Sequence, residues 1–189
     1  LPDGLDPVAA APLTDAGLTP YHAIRRSWSK LTPDATCVLI GVGGLGHVAV
    51  QIVRATTAAQ VIAVDVKPEA LELARKVGAH HAVLAGDTAA ASIRELTGGR
   101  GADVVIDFVG ATTTLELARS VVRNMGDVTI VGIGGGGVCC QSTLPCLRYW
   151  SAWISTRSTR CPVAATWPAN SPCWANEPSG PVTTSVSNS

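Results

Sequence analysis

The chain has 189 residues, of which 47% are hydrophobic and 15% are charged, and its 14 basic and 14 acidic side chains cancel. This length allows one good hydrophobic core, and the lack of a basic run argues against nucleic acid or an anionic membrane as a partner. No stretch is long and apolar enough to span a bilayer, and residues 1–20 contain aspartates but no lysine or arginine, unlike a signal peptide, so we expect a cytoplasmic location.

The chain divides into three parts by pattern. Residues 1–34 predict a helical segment that leads into a domain. Residues 35–137 repeat one unit, which is a short apolar run, a turn and a segment with helical periodicity. Residues 138–189 keep neither period. We therefore predict one α/β domain with a leading helical segment and an irregular C-terminal tail.

The first repeat contains the most informative motif. An apolar run, Cys37–Ile40, leads directly into Gly-x-Gly-x-x-Gly at Gly41, Gly43 and Gly46. These glycines would allow a tight turn, a close approach of the backbone to a pyrophosphate, and close packing of the next helix on the strand. The first N–H groups of that helix lack intrahelical partners and would face an anion. The face predicted to be buried consists of Leu45, Val48, Ala49, Ile52 and Val53.

A second apolar run, Val61–Val64, ends in an acidic residue at the spacing expected for a dinucleotide site. Asp65 would accept hydrogen bonds from the ribose hydroxyls, whereas a 2′-phosphate would meet like-charge repulsion, so NAD is preferred over NADP. Lys67 is the one opposing signal, because a cation beside the acid could tolerate a phosphate. The alternative for Asp65 is an ordinary strand-end carboxylate that caps the helix beginning near Pro68.

The later repeats complete the predicted sheet. Alternating strands and helices are typical of a parallel sheet covered on both faces. Five strands and four crossovers make a doubly wound α/β sheet of the Rossmann type, one strand short of the usual six. We predict strands near 36–41, 61–65, 81–84, 103–108 and 127–133, and later helices from Pro68 to Gly78, from an Asp87 cap to before Gly98, and from Thr112–Thr114 through Val122 to before Gly126.

Two glycine-containing segments follow the fourth and fifth predicted strands. They are Asp107–Gly110 and Val131–Gly134, and ligands of open α/β sheets bind outside such strand ends. Plain turn chemistry is the alternative explanation for these glycines. From the strand ends we assign to cofactor binding Gly41, Gly43, Gly44, Leu45, Gly46, Asp65, Val66, Lys67, Phe108, Val109 and Ile133.

Upstream of the glycine turn, the chain reads Ala11-Pro-Leu-Thr-Asp-Ala-Gly-Leu-Thr-Pro-Tyr-His-Ala23, after Leu-Pro-Asp-Gly-Leu at residues 1–5. With Gly43-Gly-Leu-Gly-His47, this closely resembles the zinc-dependent medium-chain alcohol dehydrogenases, from residue 1 to about 137. The resemblance implies reversible hydride transfer between an alcohol or carbonyl substrate and NAD, with zinc polarising the substrate oxygen. It also implies an enzyme that is usually a homo-oligomer.

The resemblance also assigns individual residues. Asp15 stands where the family commonly has a cysteine that binds the catalytic zinc, and a carboxylate is an acceptable zinc ligand; an exposed helix carboxylate is the alternative. Thr19 matches a position near the nicotinamide, whereas His22 and His47 match no metal-ligand position. The segments that would supply the other zinc ligands and most of the substrate pocket are absent. We therefore assign no catalytic residue and expect no turnover by this chain.

The tail from Val138 departs from the family. It holds five of the six cysteines and four of the five tryptophans, and nothing in it resembles the family's sixth strand and dimer edge. The cysteine gaps of 1, 6, 15 and 12 residues fit no zinc spacing, and four tryptophans are unlike ordinary disorder. A metal or disulfide module, a disordered extension and a reading-frame change near 134–137 are the alternatives, and we prefer the last.

Three functional hypotheses follow. The chain is the cofactor-binding part of an NAD- and zinc-dependent alcohol dehydrogenase, a non-catalytic NAD-binding module, or the non-functional product of a truncated and frameshifted gene. We favour the first, because the cofactor motif and the upstream motif agree.

Overall fold

A computed structural model describes residues 2–135 and 147–149. Short helices precede the sheet, and an aspartate and a proline start the first of them. The Asp6 carboxylate accepts hydrogen bonds from the first N–H groups of the first helix, and a proline follows it. These segments are α1 (Pro7–Ala10), α2 (Leu13–Ala16), α3 (Leu18–Arg25) and a single 3-10 turn at Trp28–Lys30.

Strands and helices then alternate, and every strand pair is parallel. The strand order is β3-β2-β1-β4-β5-β6, which confirms the predicted doubly wound α/β sheet. Among the helices of the described residues, none combines the length and the apolar character that crossing a membrane requires. The elements are β1 (Thr36–Ile40), α4 (Gly46–Thr56), β2 (Gln60–Asp65), α5 (Pro68–Lys76), β3 (His81–Leu84), α6 (Ala89–Leu96), β4 (Ala102–Asp107), α7 (Thr112–Val121), β5 (Val122–Ile130) and β6 (Leu147–Tyr149).

The sheet separates two apolar layers because alternate strand residues point to opposite faces. Cys37 and Leu39 of β1 lie in the layer that includes α3, α4 and α5, whereas Val38 and Ile40 face α6 and α7. Every residue of β1 and β4 is buried. The two central strands therefore form a rigid base for the loops at their carboxyl ends.

The amino ends of β1 and β4 are joined by one buried carboxylate. Asp103 is 3% exposed. It accepts a hydrogen bond from the backbone N–H of Thr36 at 2.8 Å and forms ion pairs with Arg100 at 2.7 Å and Arg123 at 2.6 Å. Since a buried charge needs such partners, this network fixes the two strands at the edge opposite their carboxyl ends.

The structure adds to the five predicted strands a sixth one from the tail, where the sequence shows no strand period. β6 runs parallel to β5, with Leu147 beside Val128 and Tyr149 beside Ile130. It extends the sheet beyond β5 by a strand of three residues. The remaining predictions for the tail lie outside the described residues.

The junction of α7 and β5 also differs from the prediction. Helix α7 ends at Val121, so Val122 opens the strand instead of closing the helix, and the strand ends at Ile130 instead of residue 133. Within this strand Met125 has a φ of 62°, and the register against β4 shifts. The Lys30 ammonium holds the irregular turn, because it donates to the Met125 carbonyl at 2.7 Å and pairs with Asp127 at 2.6 Å.

Two smaller predictions for the helices were also wrong. Helix α6 is preceded by Thr88, and no side chain caps it, so Asp87 is not its cap. In α4 the buried residues include Val50, whereas Val48 is only partly buried. The helix is rotated slightly from the predicted face because it packs on both the sheet and α3.

Candidate functional site: the cleft at the carboxyl ends of β1, β4 and β5

The turn between β1 and α4 depends on Gly41. Its φ is +81°, and its N–H donates to the Val64 carbonyl at 2.8 Å, which continues the pairing of β1 with β2. A Cβ at this position would lie 2.5 Å from Cγ2 of Val109. Because both the backbone conformation and the space exclude a side chain, the glycine predicted for a tight turn is required there.

The other glycines of the motif divide into two kinds. A Cβ on Gly46 would collide with the Gly41 carbonyl, so this glycine allows α4 to begin directly against the turn. In contrast, Gly43 and Gly44 are exposed, and a Cβ on either would meet no atom within 4 Å. The space in front of these two residues is open, as the approach of a ligand to the backbone requires.

Helix α4 presents free donors to this open space. Within residues 2–135, the backbone N–H groups of Gly44, Leu45 and Gly46 donate to no acceptor, and no side chain caps the helix. The Gly43 carbonyl accepts from the His47 N–H at 3.2 Å and lies 2.6 Å from His47 Nδ1. Free N–H groups at the start of an eleven-residue helix form an anion site.

Asp65 is tied to the glycine turn. Its Oδ2 accepts a hydrogen bond from the Val42 N–H at 2.8 Å, and its Oδ1 accepts one from the Lys67 N–H at 2.9 Å. A carboxylate has about four acceptor sites, so each oxygen can still accept a hydroxyl. Asp65 is not the N-cap of α5, because that position is Lys67 and no side chain caps the helix. Its carboxylate holds only the Lys67 N–H that precedes the helix.

Val66 and Lys67 extend from the same strand end into solvent. The Val66 side chain is 71% exposed. The Lys67 ammonium is also exposed and makes no ion pair with any residue that the structure describes. Both side chains are therefore accessible beside Asp65.

A buried carboxylate shapes the loop after β4. Asp107 is fully buried, and its Oδ1 accepts hydrogen bonds from the N–H groups of Val109 at 2.8 Å and Gly110 at 3.1 Å. Its Oδ2 accepts one from the Thr114 hydroxyl at 2.7 Å. The sequence analysis missed the role of Thr114, although an aspartate followed by glycine and threonine where a strand meets a helix is the available signal.

The loops after β4 and β5 are joined through their backbones. The Asp107 carbonyl accepts from the N–H of Val131 at 2.8 Å, and the Val109 carbonyl accepts from the N–H of Gly134 at 2.9 Å. A Cβ on Gly132 would collide with the Val109 carbonyl. The joined loops leave Val109 38% exposed and Ile133 85% exposed.

Three strand ends therefore meet at one edge of the sheet. Val109 contacts the position of Gly41, and Phe108 donates its N–H to the Ile40 carbonyl at 2.9 Å. Successive strands are added on one side of β1 up to β3 and on its other side from β4 onwards, so the strand order reverses between β1 and β4, and ligands of doubly wound sheets bind at such a reversal. We call this surface the cofactor cleft; it is bounded by residues 41–46, 65–67, 108–110 and 131–134.

The residues assigned by resemblance lie on the leading helices. Thr19 is half-buried in α3, which packs against α4 through Ala23 and Ile24. Asp15 is exposed in α2. In the part of the chain that the structure covers, no three His, Cys, Asp or Glu side chains group to hold a metal. The donor set that a catalytic zinc needs is therefore not formed by these residues.

Cys37 lies in β1, immediately before the cleft, but its chemistry is suppressed. Its thiol is fully buried. Burial, with a smaller effect from the Asp103 charge, raises the pKa of Cys37 to about 12. Since the thiolate is the nucleophile and the metal ligand, this cysteine acts as a small apolar core residue.

Comparisons with known sequences relate the chain to one family of dehydrogenases. A sequence profile of a family described as zinc-binding dehydrogenase matches residues 44–169, which extends past the limit near residue 137 set by the motifs. An NAD-dependent alcohol dehydrogenase of Sulfurisphaera tokodaii is 43% identical over 133 residues, and one of Saccharolobus solfataricus is 39% identical over 133 residues. Each match covers 69% of this chain but 38% of the relative. The chain thus spans well under half the length of these relatives.

Solved structures give the same result and identify the family. An alcohol dehydrogenase from Aeropyrum pernix matches with a TM-score of 0.70 and 41% identity, covering 75% of this chain and 42% of that one. An acetophenone reductase from Geotrichum candidum, solved in complex with NAD, matches with a TM-score of 0.62 and 35% identity, covering 75% of this chain and 38% of that one. The resemblance read from the upstream and glycine motifs is confirmed, and the chain belongs to the zinc-binding dehydrogenase family.

Proposed function

We propose that this chain is the NAD-binding part of an NAD- and zinc-dependent alcohol dehydrogenase, which transfers a hydride reversibly between an alcohol and NAD. The observation that carries the proposal is the open space in front of Gly43 and Gly44, next to the free N–H groups of Gly44, Leu45 and Gly46 at the start of α4. The relatives described as NAD-dependent alcohol dehydrogenases support the same cofactor and reaction.

The residues of the cofactor cleft fit NAD in charge and shape. The N–H groups of Gly44, Leu45 and Gly46 would bind the pyrophosphate, because they are free donors at a helix start. Asp65 would accept the ribose hydroxyls while still holding the turn. This carboxylate disfavours a 2′-phosphate, so we propose NAD in preference to NADP, even with Lys67 nearby. Apolar contacts would come from Val66, Phe108, Val109 and Ile133, with Thr19 on the nicotinamide side.

Zinc does not fit the described residues. Asp15 is the one ligand assigned to it, whereas a catalytic zinc takes three protein ligands and one open position. We propose that the chain as given binds the cofactor without oxidising alcohol. For the longer protein that the relatives represent, we propose a small alcohol or carbonyl substrate, a homo-oligomeric state and a cytoplasmic location.

One set of measurements tests the proposal. NADH fluorescence titrated with the full chain should show saturable binding, with NADPH binding more weakly, and ethanol oxidation with NAD and added zinc should stay at the level of a protein-free blank. Turnover of alcohol would contradict the proposed lack of competence. A cooperative melt without NADH binding would contradict the cofactor assignment, and the absence of a cooperative melt would favour the product of a damaged gene.

A further inference from the structure

A second group of polar side chains lies at the amino edge of the sheet, opposite the cofactor cleft. Here Arg54 of α4 approaches His80, which directly precedes β3, and Gln60 opens β2. A shallow pocket opens beside them, and it is lined by Pro33, Asp34, Ala35, Ala58, Gln60 and His80. The proposed cofactor function uses none of these residues.

The proton position on His80 follows from its backbone contacts. The Val61 N–H donates to His80 Nδ1 at 2.8 Å, so Nδ1 carries the lone pair. Partial desolvation, followed by the charges of Arg54 and His81, lowers the pKa of His80. The ring is therefore neutral near pH 7, and its single proton lies on Nε2.

That proton faces another donor. His80 Nε2 lies 3.0 Å from Arg54 Nη1, and a guanidinium has no acceptor atom. The arginine stem lies close to Gly78, where a Cβ would be 3.2 Å from the Arg54 Cγ. Two N–H donors at this distance repel each other unless one acceptor receives hydrogen bonds from both.

We propose that Arg54 and His80 form a binding site for a small oxyanion, which accepts one hydrogen bond from the guanidinium and one from His80 Nε2–H. The site is separate from the cofactor cleft, because the two lie at opposite ends of the parallel strands. Gln60 lines the same pocket, and its amide lies 3.0 Å from His81 Nε2, so it can contribute a further donor. Of the titratable groups here, Asp34 and His80 line the pocket, while Arg54 and His81 lie close enough to His80 to act on its charge.

Asp34 limits the size and charge of this ligand. Its carbonyl is held by Arg100 at 2.9 Å, which keeps the residue on the pocket rim. A carboxylate there repels an extended polyanion, whereas a single phosphate or sulfate group can contact the two donors at a distance from it. The ligand class is therefore a small tetrahedral oxyanion, free or as the end group of a metabolite.

Imidazole ¹⁵N NMR of the full chain, titrated with inorganic phosphate at constant ionic strength, tests the site. We expect Nε2 of His80 to be protonated before any addition and to shift saturably with phosphate but not with chloride. In Arg54→Gln the apparent Kd should rise about tenfold or more, because one charge-assisted hydrogen bond is lost. The matched control Arg75→Gln removes an exposed helix arginine that donates to the Ala82 carbonyl, and it should leave the titration unchanged.

Several results would overturn the proposal. They are a proton on Nδ1, a shift that does not saturate, and equal titrations for Arg54→Gln and the unaltered chain. A parallel titration with a phosphate monoester distinguishes a metabolite end group from free phosphate, and tighter binding of either supports the same site. NADH binding in the same samples reports the cofactor cleft independently.

Discussion

Replacing Asp65 with asparagine tests both contacts of its carboxylate in one variant. The two oxygens hold the Val42 and Lys67 N–H groups at 2.8 and 2.9 Å. Asparagine offers one acceptor oxygen, so one of these groups would face an NH2 donor, and the half-exposed site should lose about 1 kcal/mol, or about 3–5 °C in Tm. The loss of hydrogen bonds from a ribose hydroxyl to a charged acceptor, about 1.5–3 kcal/mol, should raise the Kd of NADH by one to two orders of magnitude.

The measurement is a fluorescence titration of NADH and NADPH with each variant, together with a thermal melt. Asp87→Asn is the matched control, since Asp87 is exposed and makes no hydrogen bond in the described part of the chain. NADPH should lose less affinity than NADH in Asp65→Asn, because removal of the carboxylate also removes its repulsion of the 2′-phosphate. An unchanged Kd for NADH, or equal losses for the two cofactors, would refute the assignment of Asp65 to the ribose.

Three further results are expected. Gly46→Ala should lower both the Tm and the affinity for NADH, because the added Cβ would meet the Gly41 backbone. Gly44→Ala should keep the Tm and weaken NADH binding alone, because the space in front of Gly44 is open. Equal effects of the two variants on the Tm and on NADH binding would contradict this difference between the glycines. Asp107→Asn should destabilise the chain by about 1–3 kcal/mol in urea unfolding, as one of its three donors loses its acceptor, and a change within error would contradict its role. In the native chain at pH 8, Cys37 should resist iodoacetamide in peptide mass spectra and react once urea unfolds it, because its pKa of about 12 leaves less than about one thiolate in a thousand; rapid native labelling would show that it is not buried.

The cofactor cleft was predictable from the sequence because its requirements are local. A strand, three spaced glycines and a helix follow one another without a gap, and Asp65 ends the next strand. Each of these requirements concerns residues that are close to one another in the sequence. The turn, the parallel sheet and the approach of the strand ends therefore followed from pattern alone.

The errors arose where distant residues decide the local structure. Strand β5 starts early because Val122 pairs with Ala102 of β4, and its irregular middle is held by Lys30, which contacts the Met125 carbonyl and Asp127 from far along the chain. No local pattern reveals such a contact. The three residues of β6 are too few to display a strand period, and they are ordered by pairing with β5. The role of Thr114 likewise required the burial of Asp107, which periodicity does not predict.

The backbone contacts between the loops after β4 and β5 have a consequence for how this protein family can change its ligands. Gly110 and Gly132 approach each other and Val109 so closely that a methyl group on either glycine would collide with backbone atoms. Selection can therefore not exchange these glycines without moving a strand end. Val109 is 38% exposed and lies against Gly41, whereas the Ile133 side chain is 85% exposed. Replacement of the Ile133 side chain can therefore change the surface offered to a ligand, while the loop backbone beside it stays the same.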